Sequence, residues 1–108
     1  MKAFITIKEN KGTDSEVDVR FGRAAYFMIY DLESDRVMSV EENRHKNGAQ
    51  GVGIAVGNQV LQSGCQLAIG AQPGPKAENI LTLGKIKFFK AENCTVAEAI
   101  KNYRQSQQ

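Results

Sequence analysis

Three short stretches in the first half of the chain carry the apolar, β-branched and aromatic residues that favour strands. Residues 3–7 form the first stretch, and a polar, glycine-containing turn ends it. Residues 26–32 and 36–42 form the other two, and only the turn at 33–35 separates them. The pattern therefore predicts one strand followed by a β-hairpin. The intervening loop at residues 20–25 is too short and too glycine-broken for a helix.

The second half of the chain alternates between helical and strand-like patterns. Residues 51–61 place apolar side chains near the 3.6-residue period of a helix. Gly53 and Gly57 oppose this, because each glycine in a helix costs about 1 kcal/mol relative to alanine. They suggest either close packing on the sheet or close approach of a ligand. Residues 65–69 then have the continuous apolar pattern of a buried strand.

Two more helices are predicted on either side of a last strand at residues 86–89. Pro75 suits the first position of a helix that ends at Gly84. Residues 95–98 match a capping box at the start of a terminal helix. The apolar residues of that helix fall on one face: Val96, Ala99, Ile100 and Tyr103. The element order predicts an α/β fold with a mixed five-stranded sheet and about three helices, with ligand-binding loops at the carboxyl ends of the parallel strands.

Length and composition predict one globular domain spanning residues 1–108. The apolar fraction is 42% and the charged fraction 24%, both ordinary for a soluble domain. The chain has no run of about 18 apolar residues and no signal-peptide pattern at its start, so we expect a cytoplasmic protein without membrane association. The net charge of +2 is too small to predict nucleic-acid binding.

Charged residues are unevenly distributed along the chain. Residues 43–77 contain no aspartate or glutamate. Their basic side chains and single histidine are Arg44, His45, Lys46 and Lys76. Upstream, Arg20 and Arg23 bracket a Phe-Gly pair, and they are either solvated surface charges or a pair of anion-binding forks. If the two basic segments meet in the fold, they form an anion site, so residues 43–57 are the predicted working surface.

Glycines lead into the first predicted helix at Gly48, Gly51 and Gly53. Backbone N–H groups and the dipole at a helix N-terminus favour an anion, so these glycines are candidates for a ligand cradle. They lack the spacing of a dinucleotide-binding fingerprint and the Lys-Ser/Thr of a phosphate loop. Close helix packing is the alternative interpretation.

One histidine and two cysteines are the candidate metal ligands. His45 can offer a neutral imidazole to a metal, although a lone histidine in a polar loop is often simply solvated. Cys65 and Cys94 are interpreted as reduced thiols, and iron–sulfur clusters usually require four. Cys65 begins a buried strand. Cys94 precedes a helix that can lower its thiol pKa, or it has only a packing role.

Features required by several enzyme classes are missing from the sequence. A metal-dependent nuclease on such a sheet needs several carboxylates, and the strand at residues 3–7 has none. The chain also has no Gly-x-Ser-x-Gly motif. We therefore expect a protein that is not an enzyme.

Residues 20–24, Arg-Phe-Gly-Arg-Ala, followed by the strand at 26–31, resemble the signature of the dinitrogenase iron–molybdenum cofactor family. The resemblance extends to the polar loop and glycine-rich helix at 43–57, to residues 69–77, and to the Thr-Val-x-Glu-Ala helix start at 95–99. It thus covers nearly the whole chain. The family implies a ribonuclease H-like α/β fold and a role as a carrier or accessory protein for the nitrogenase cofactor or its precursors.

The resemblance implies that the chain binds an anionic metal–sulfur cluster, which is the iron–molybdenum cofactor, a precursor or a related cluster. Many members have histidine before Phe-Gly-Arg, and here Arg20 supplies a fixed charge instead of a metal ligand. His45 is then the predicted metal ligand. The remaining cofactor-binding predictions are Arg20, Arg23, Arg44, Lys46, Gly48, Gly51 and Gly53. Expected partners are the cluster and a cofactor-assembly or acceptor protein. The alternative is a regulatory or protein-interaction module with the same fold and no cluster.

Overall fold

Five strands and three α-helices make up the fold in the computed structural model, which describes residues 1–48, 50–70 and 72–107. A short 3-10 turn, Gly12–Asp14, lies in the loop after the first strand. The strands and helices are β1 Lys2–Ile7, β2 Tyr26–Asp31, β3 Arg36–Glu42, α1 Val52–Ser63, β4 Leu67–Gly70, α2 Pro75–Leu83, β5 Lys87–Lys90 and α3 Val96–Ser106. The predicted element order is confirmed.

The strands form one mixed sheet in the order β3-β2-β1-β4-β5. β1 pairs antiparallel with β2 and parallel with β4, while β2 and β3 form the predicted hairpin and β4 pairs parallel with β5. Because β2 runs opposite to its neighbours, its start lies at the same edge as the ends of β1, β3 and β4. The loops at 8–25, 43–48 and 72–74 therefore share one edge of the sheet.

Helices cover both faces of the sheet. On one face Phe4, Phe27 and Ala68 pack with α1 and α2. On the other face Ile5 and Met28 pack with α3. The two faces follow from the alternation of side chains along a strand, so each apolar residue of β1 enters the opposite cluster from its neighbour.

Close packing accounts for one of the two glycines inside α1. A β-carbon at Gly57 would lie 3.4 Å from Ile80 Cδ1 and 3.6 Å from Ala77 Cα, so the absence of a side chain allows α1 to approach α2. Gly53 is less crowded, since its β-carbon would lie 3.9 Å from Ala77 Cβ. The packing interpretation therefore holds for Gly57 and leaves Gly53 available for another role.

Local hydrogen bonds explain where the helix bounds match or depart from prediction. The capping box is confirmed, because Thr95 Oγ1 accepts from Glu98 N and Glu98 Oε1 accepts from Thr95 N. α1 ends at Ser63 with Gly64 as its left-handed C-cap, as the Ser63-Gly64 pair predicts. β4 begins later than predicted because Cys65 N donates to Ser63 Oγ in a turn. No helix in the described part of the chain is both long enough and apolar enough to cross a membrane.

Tyr30 provides a test of the packing between β2 and α3. Its ring is 5% exposed and its hydroxyl donates to Asp35 Oδ1 at 2.8 Å. Burial, and then this hydrogen bond, raise the pKa of Tyr30 to about 12. The unfolded chain releases this proton near pH 10, so the folded state holds more protons between about pH 10 and 12, and its stability falls across that range.

We expect wild type to lose up to roughly 2 kcal/mol more stability than Tyr30→Phe between about pH 9 and pH 12. Urea unfolding of the two proteins at each pH, followed by far-UV circular dichroism, measures the difference. The variant is a matched control, because every other titrating group is retained. Equal losses in both proteins would show that Tyr30 ionises as easily in the folded state as in the unfolded chain.

Candidate functional site

The two predicted basic segments meet at the sheet edge where β1 ends. Arg23 Nη1 donates to the backbone oxygen of Lys46 at 2.9 Å, so the loop at 20–25 contacts the loop at 43–48. Arg23 is exposed, and Lys46 is half-buried. The positive charges of the two segments are therefore brought together, as an anion site requires.

The buried side chain of Asn43 connects the same two loops by hydrogen bonds. Asn43 Nδ2 donates to the backbone oxygens of Gly22 and Ala24 at 2.9 Å each. Its Oδ1 accepts from His45 N at 2.9 Å. The sequence interpretation used Asn43 only as the start of a polar segment and missed this bridge, because its partners lie some twenty residues away in the chain.

Arg20, predicted as one arm of an anion site, forms an ion pair with Asp18. Its Nε and Nη2 donate to the two carboxylate oxygens of Asp18 at 3.1 and 3.0 Å. The Asp18 side chain is completely buried and also accepts from the backbone N–H groups of Arg20 and Ala25. The charge of Arg20 is therefore offset by an internal counter-ion that sequence reasoning did not single out. The sequence contains an indication of this pair, because an aspartate can accept a hydrogen bond from the backbone N–H two residues later, here that of Arg20.

His45 and Arg44 lie in a polar cavity of about 500 Å³ whose other lining residues are Glu41, Glu42 and Gln59. Lys46 Nζ lies 3.4 Å from Glu42 Oε1. Acidic residues from β3 therefore face the segment that has no acids of its own, and they weaken the predicted positive field. No group of three or more His, Cys, Asp or Glu side chains suited to a metal ion occurs among residues 1–48, 50–70 and 72–107. The described side chains around His45 therefore do not form a protein-built metal centre.

A second cleft, of about 380 Å³, lies between the first turns of α1 and α2. Its lining residues are Gly51, Val52, Gly53, Ile54, Gly74, Pro75, Lys76 and Ala77. This cleft contains two of the predicted glycines and adds the start of α2, which the prediction of site residues had omitted. The visible signal was the Gly-Pro pair at a helix start, followed by a lysine.

Neither helix that borders the cleft has a side-chain cap at its described N-terminus. Gly51 adopts the left-handed conformation with φ +69°, and Gly74 is extended. The first helical hydrogen bonds run from Ala55 N to the oxygen of Gly51 and from Glu78 N to the oxygen of Gly74. The N–H groups of residues 52–54 and 76–77 precede these bonds, so both helices present backbone donors and a positive dipole end toward the cleft.

Five of the eight predicted residues consequently fall into three places. Gly51 and Gly53 line the cleft, Arg44 and His45 line the polar cavity, and Arg20 belongs to the Asp18 ion pair. Gly48 lies outside both lining sets, with its backbone close to a Val52 methyl group.

Both cysteine thiols are held in their neutral form. Burial raises the pKa of Cys65, and burial followed by Glu98 and Glu16 raises the pKa of Cys94. The interpretation that a helix N-terminus lowers the pKa of Cys94 is therefore wrong. Cys65 belongs to the apolar cluster on the α1 and α2 face of the sheet, and Cys94 packs on the cluster of the α3 face, so the two thiols do not form one metal site.

Comparison with known proteins gives one family and several relatives. The profile of the dinitrogenase iron–molybdenum cofactor family matches residues 1–106. An uncharacterized protein of Methanocaldococcus jannaschii is 30% identical over 103 residues, which is 94% of this chain and 83% of that protein. The structure resembles the apo form of the orange protein from Desulfovibrio gigas, with a TM-score of 0.89, 29% identity, and coverage of 98% of this chain and 88% of the other. It also resembles a NifB-like protein from Thermotoga, with a TM-score of 0.80, 33% identity, and coverage of 98% and 89%.

Proposed function

The chain belongs to the dinitrogenase iron–molybdenum cofactor family, and from this premise we propose that it binds and carries an anionic metal–sulfur cluster as a non-enzymatic accessory protein. The observation that carries the proposal is the cleft between the two uncapped helix N-termini. The cargo is the iron–molybdenum cofactor, one of its precursors or a related molybdenum–iron cluster. A cofactor-assembly or acceptor protein is the proposed partner.

Charge and hydrogen bonding in the cleft suit such a cargo. A helix N-terminus behaves like roughly half a positive charge, so two of them and the ammonium group of Lys76 attract an anion. Cluster sulfides accept hydrogen bonds from backbone N–H groups, which residues 52–54 and 76–77 present. Arg23 adds an exposed positive charge from the loop at 20–25.

The composition of the cleft supports carriage rather than catalysis. Its lining consists of glycine, apolar residues and one lysine, which together offer no general acid–base pair and no activated nucleophile among the described residues. Backbone donors hold an anion without changing it. This is the chemistry expected of a protein that delivers its cargo intact.

Reconstitution tests the proposal. The protein is incubated with tetrathiomolybdate, or with molybdate, iron and sulfide, then desalted, and its metal content and visible spectrum are recorded. We expect about one molybdenum atom or cluster per chain, and weaker retention at high salt because the attraction is electrostatic. A colourless protein free of molybdenum and iron would overturn the proposal and favour a protein-interaction module.

His45, which lines the polar cavity and not the cleft, is the proposed metal ligand. We expect His45→Ala to raise the dissociation constant for tetrathiomolybdate roughly tenfold, as for loss of one stabilising contact to a metal. Gln59→Ala, which alters the same cavity without removing an imidazole, is the matched control and should bind like wild type. Unchanged binding by His45→Ala would leave charge and backbone donors as the holders of the cluster.

A further inference from the structure

We propose that Asn43 is a positioning residue for the cluster site, through its control of where the first turn of α1 lies. This inference rests on the proposed function, because it concerns the backbone donors that α1 presents to the cleft. Asn43 does not line the cleft itself. Its effect passes through the two loops that it joins and through Val52.

The carboxamide of Asn43 uses both donors and its oxygen on backbone groups. Nδ2 donates to the oxygens of Gly22 and Ala24, and Oδ1 accepts from the N–H of His45. The backbone N–H of Asn43 also donates to the oxygen of Ala25 at 3.0 Å. With the side chain 1% exposed, water does not compete for these bonds, so they fix the relative position of the loops at 20–25 and 43–48.

The chemistry of this bridge requires an asparagine. Two carbonyl oxygens need donors and one N–H group needs an acceptor, and the amide side chain supplies both on one carbon. An aspartate would set a carboxylate oxygen against the oxygens of Gly22 and Ala24. A glutamine would add a methylene group at a position where the side chain is already fully buried.

Both loops contact the first residue of α1. A β-carbon at Gly22 would lie 3.1 Å from Val52 Cγ1 and 3.1 Å from Gly53 N, so the loop at 20–25 lies against the start of the helix. A β-carbon at Gly48 would lie 3.0 Å from Val52 Cγ2. The two loops therefore contact the two methyl groups of Val52. The distance between the two loops determines the position of the first turn of α1, and with it the position of the N–H groups that face the cleft.

The test measures tetrathiomolybdate binding to Asn43→Ala at a temperature where variant and wild type are both folded. We expect the dissociation constant to rise roughly ten- to a hundredfold, as when a residue that orients a metal ligand is removed. The visible circular dichroism of the bound anion should also change, because its surroundings are rearranged. Wild-type affinity and an unchanged signal in Asn43→Ala would overturn the positioning role.

Two further variants separate positioning from stability and from the proposed function. Ile100→Ala removes packing under α3 on the opposite face of the sheet, so it should lower stability while retaining wild-type affinity. If it lost affinity as Asn43→Ala does, general destabilisation would explain both, and the proposal would fail. Should Asn43→Ala not fold, Gly48→Ala, outside the cleft, places a β-carbon 3.0 Å from Val52 Cγ2 and must reproduce the loss of affinity. Failure of wild type to bind would instead overturn the proposed function.

Discussion

Replacing Asp18 with alanine is expected to lower the free energy of unfolding by about 2–3 kcal/mol. The carboxylate is fully buried and accepts four hydrogen bonds, three from Arg20 and one from the backbone of Ala25. Alanine leaves both backbone N–H groups without these acceptors. The guanidinium of Arg20 is 60% exposed and can regain water, which keeps the cost below that of a fully buried ion pair.

Urea unfolding followed by circular dichroism measures this loss. Asp14→Ala is the matched control, because Asp14 is exposed in the same loop and should shift stability by less than about 0.5 kcal/mol. Asp18→Asn keeps the shape and one oxygen acceptor, so it should lie between wild type and Asp18→Ala. If Asp18→Ala unfolded at the same urea concentration as Asp14→Ala, the carboxylate would not contribute to folding.

The elements predicted with little error are those whose signals are local. The strand at 36–42 and the capping box at Thr95 and Glu98 depend only on residues close to one another in the chain, and both match the structure. The mixed sheet, with the hairpin on one side and the parallel strands on the other, follows from the element order. The general fold was therefore accessible from the sequence.

The candidate site was less accessible because it is made by contacts between distant segments. Asn43 bonds to residues 19 and 21 positions away along the chain. Glu41 and Glu42 at the end of β3 line the same cavity as Arg44 and His45, which belong to a segment without acidic residues. Counting charges along the chain could not reveal that Arg20 is paired with a buried carboxylate. The composition of a segment thus indicated where chemistry occurs but not which groups remain available for it.

The cleft itself depends on packing between α1 and α2. Gly57 allows α1 to approach Ile80, and this approach places the start of α1 beside the start of α2. No sequence pattern links Gly51 to Gly74, which are separated by α1, β4 and the segments that follow them. The two helix N-termini were therefore recognisable singly, whereas their combination into one anion site required the three-dimensional arrangement.

Gly74→Asp is expected to stabilise the fold and to weaken cluster binding at the same time. Gly74 has φ −67° and ψ 168°, the extended conformation of a good N-cap, and a β-carbon there would meet no described atom within 4 Å. Aspartate can then accept from the N–H groups of Lys76 and Ala77, which adds about 0.5–1 kcal/mol of stability. The same carboxylate occupies these donors and repels an anion in the cleft, so the dissociation constant for tetrathiomolybdate should rise more than roughly tenfold.

Two substitutions at the same position separate capping from charge. Gly74→Ala leaves the N–H groups uncapped and should bind nearly as wild type, whereas Gly74→Asn caps the helix without a charge and should have intermediate affinity. Thermal unfolding and tetrathiomolybdate titration are carried out on all four proteins. Since Gly74→Asp is expected to be the most stable of them, its loss of binding cannot come from unfolding. If Gly74→Asp bound as tightly as wild type, the cluster would be held elsewhere, and the polar cavity beside His45 would become the site to test.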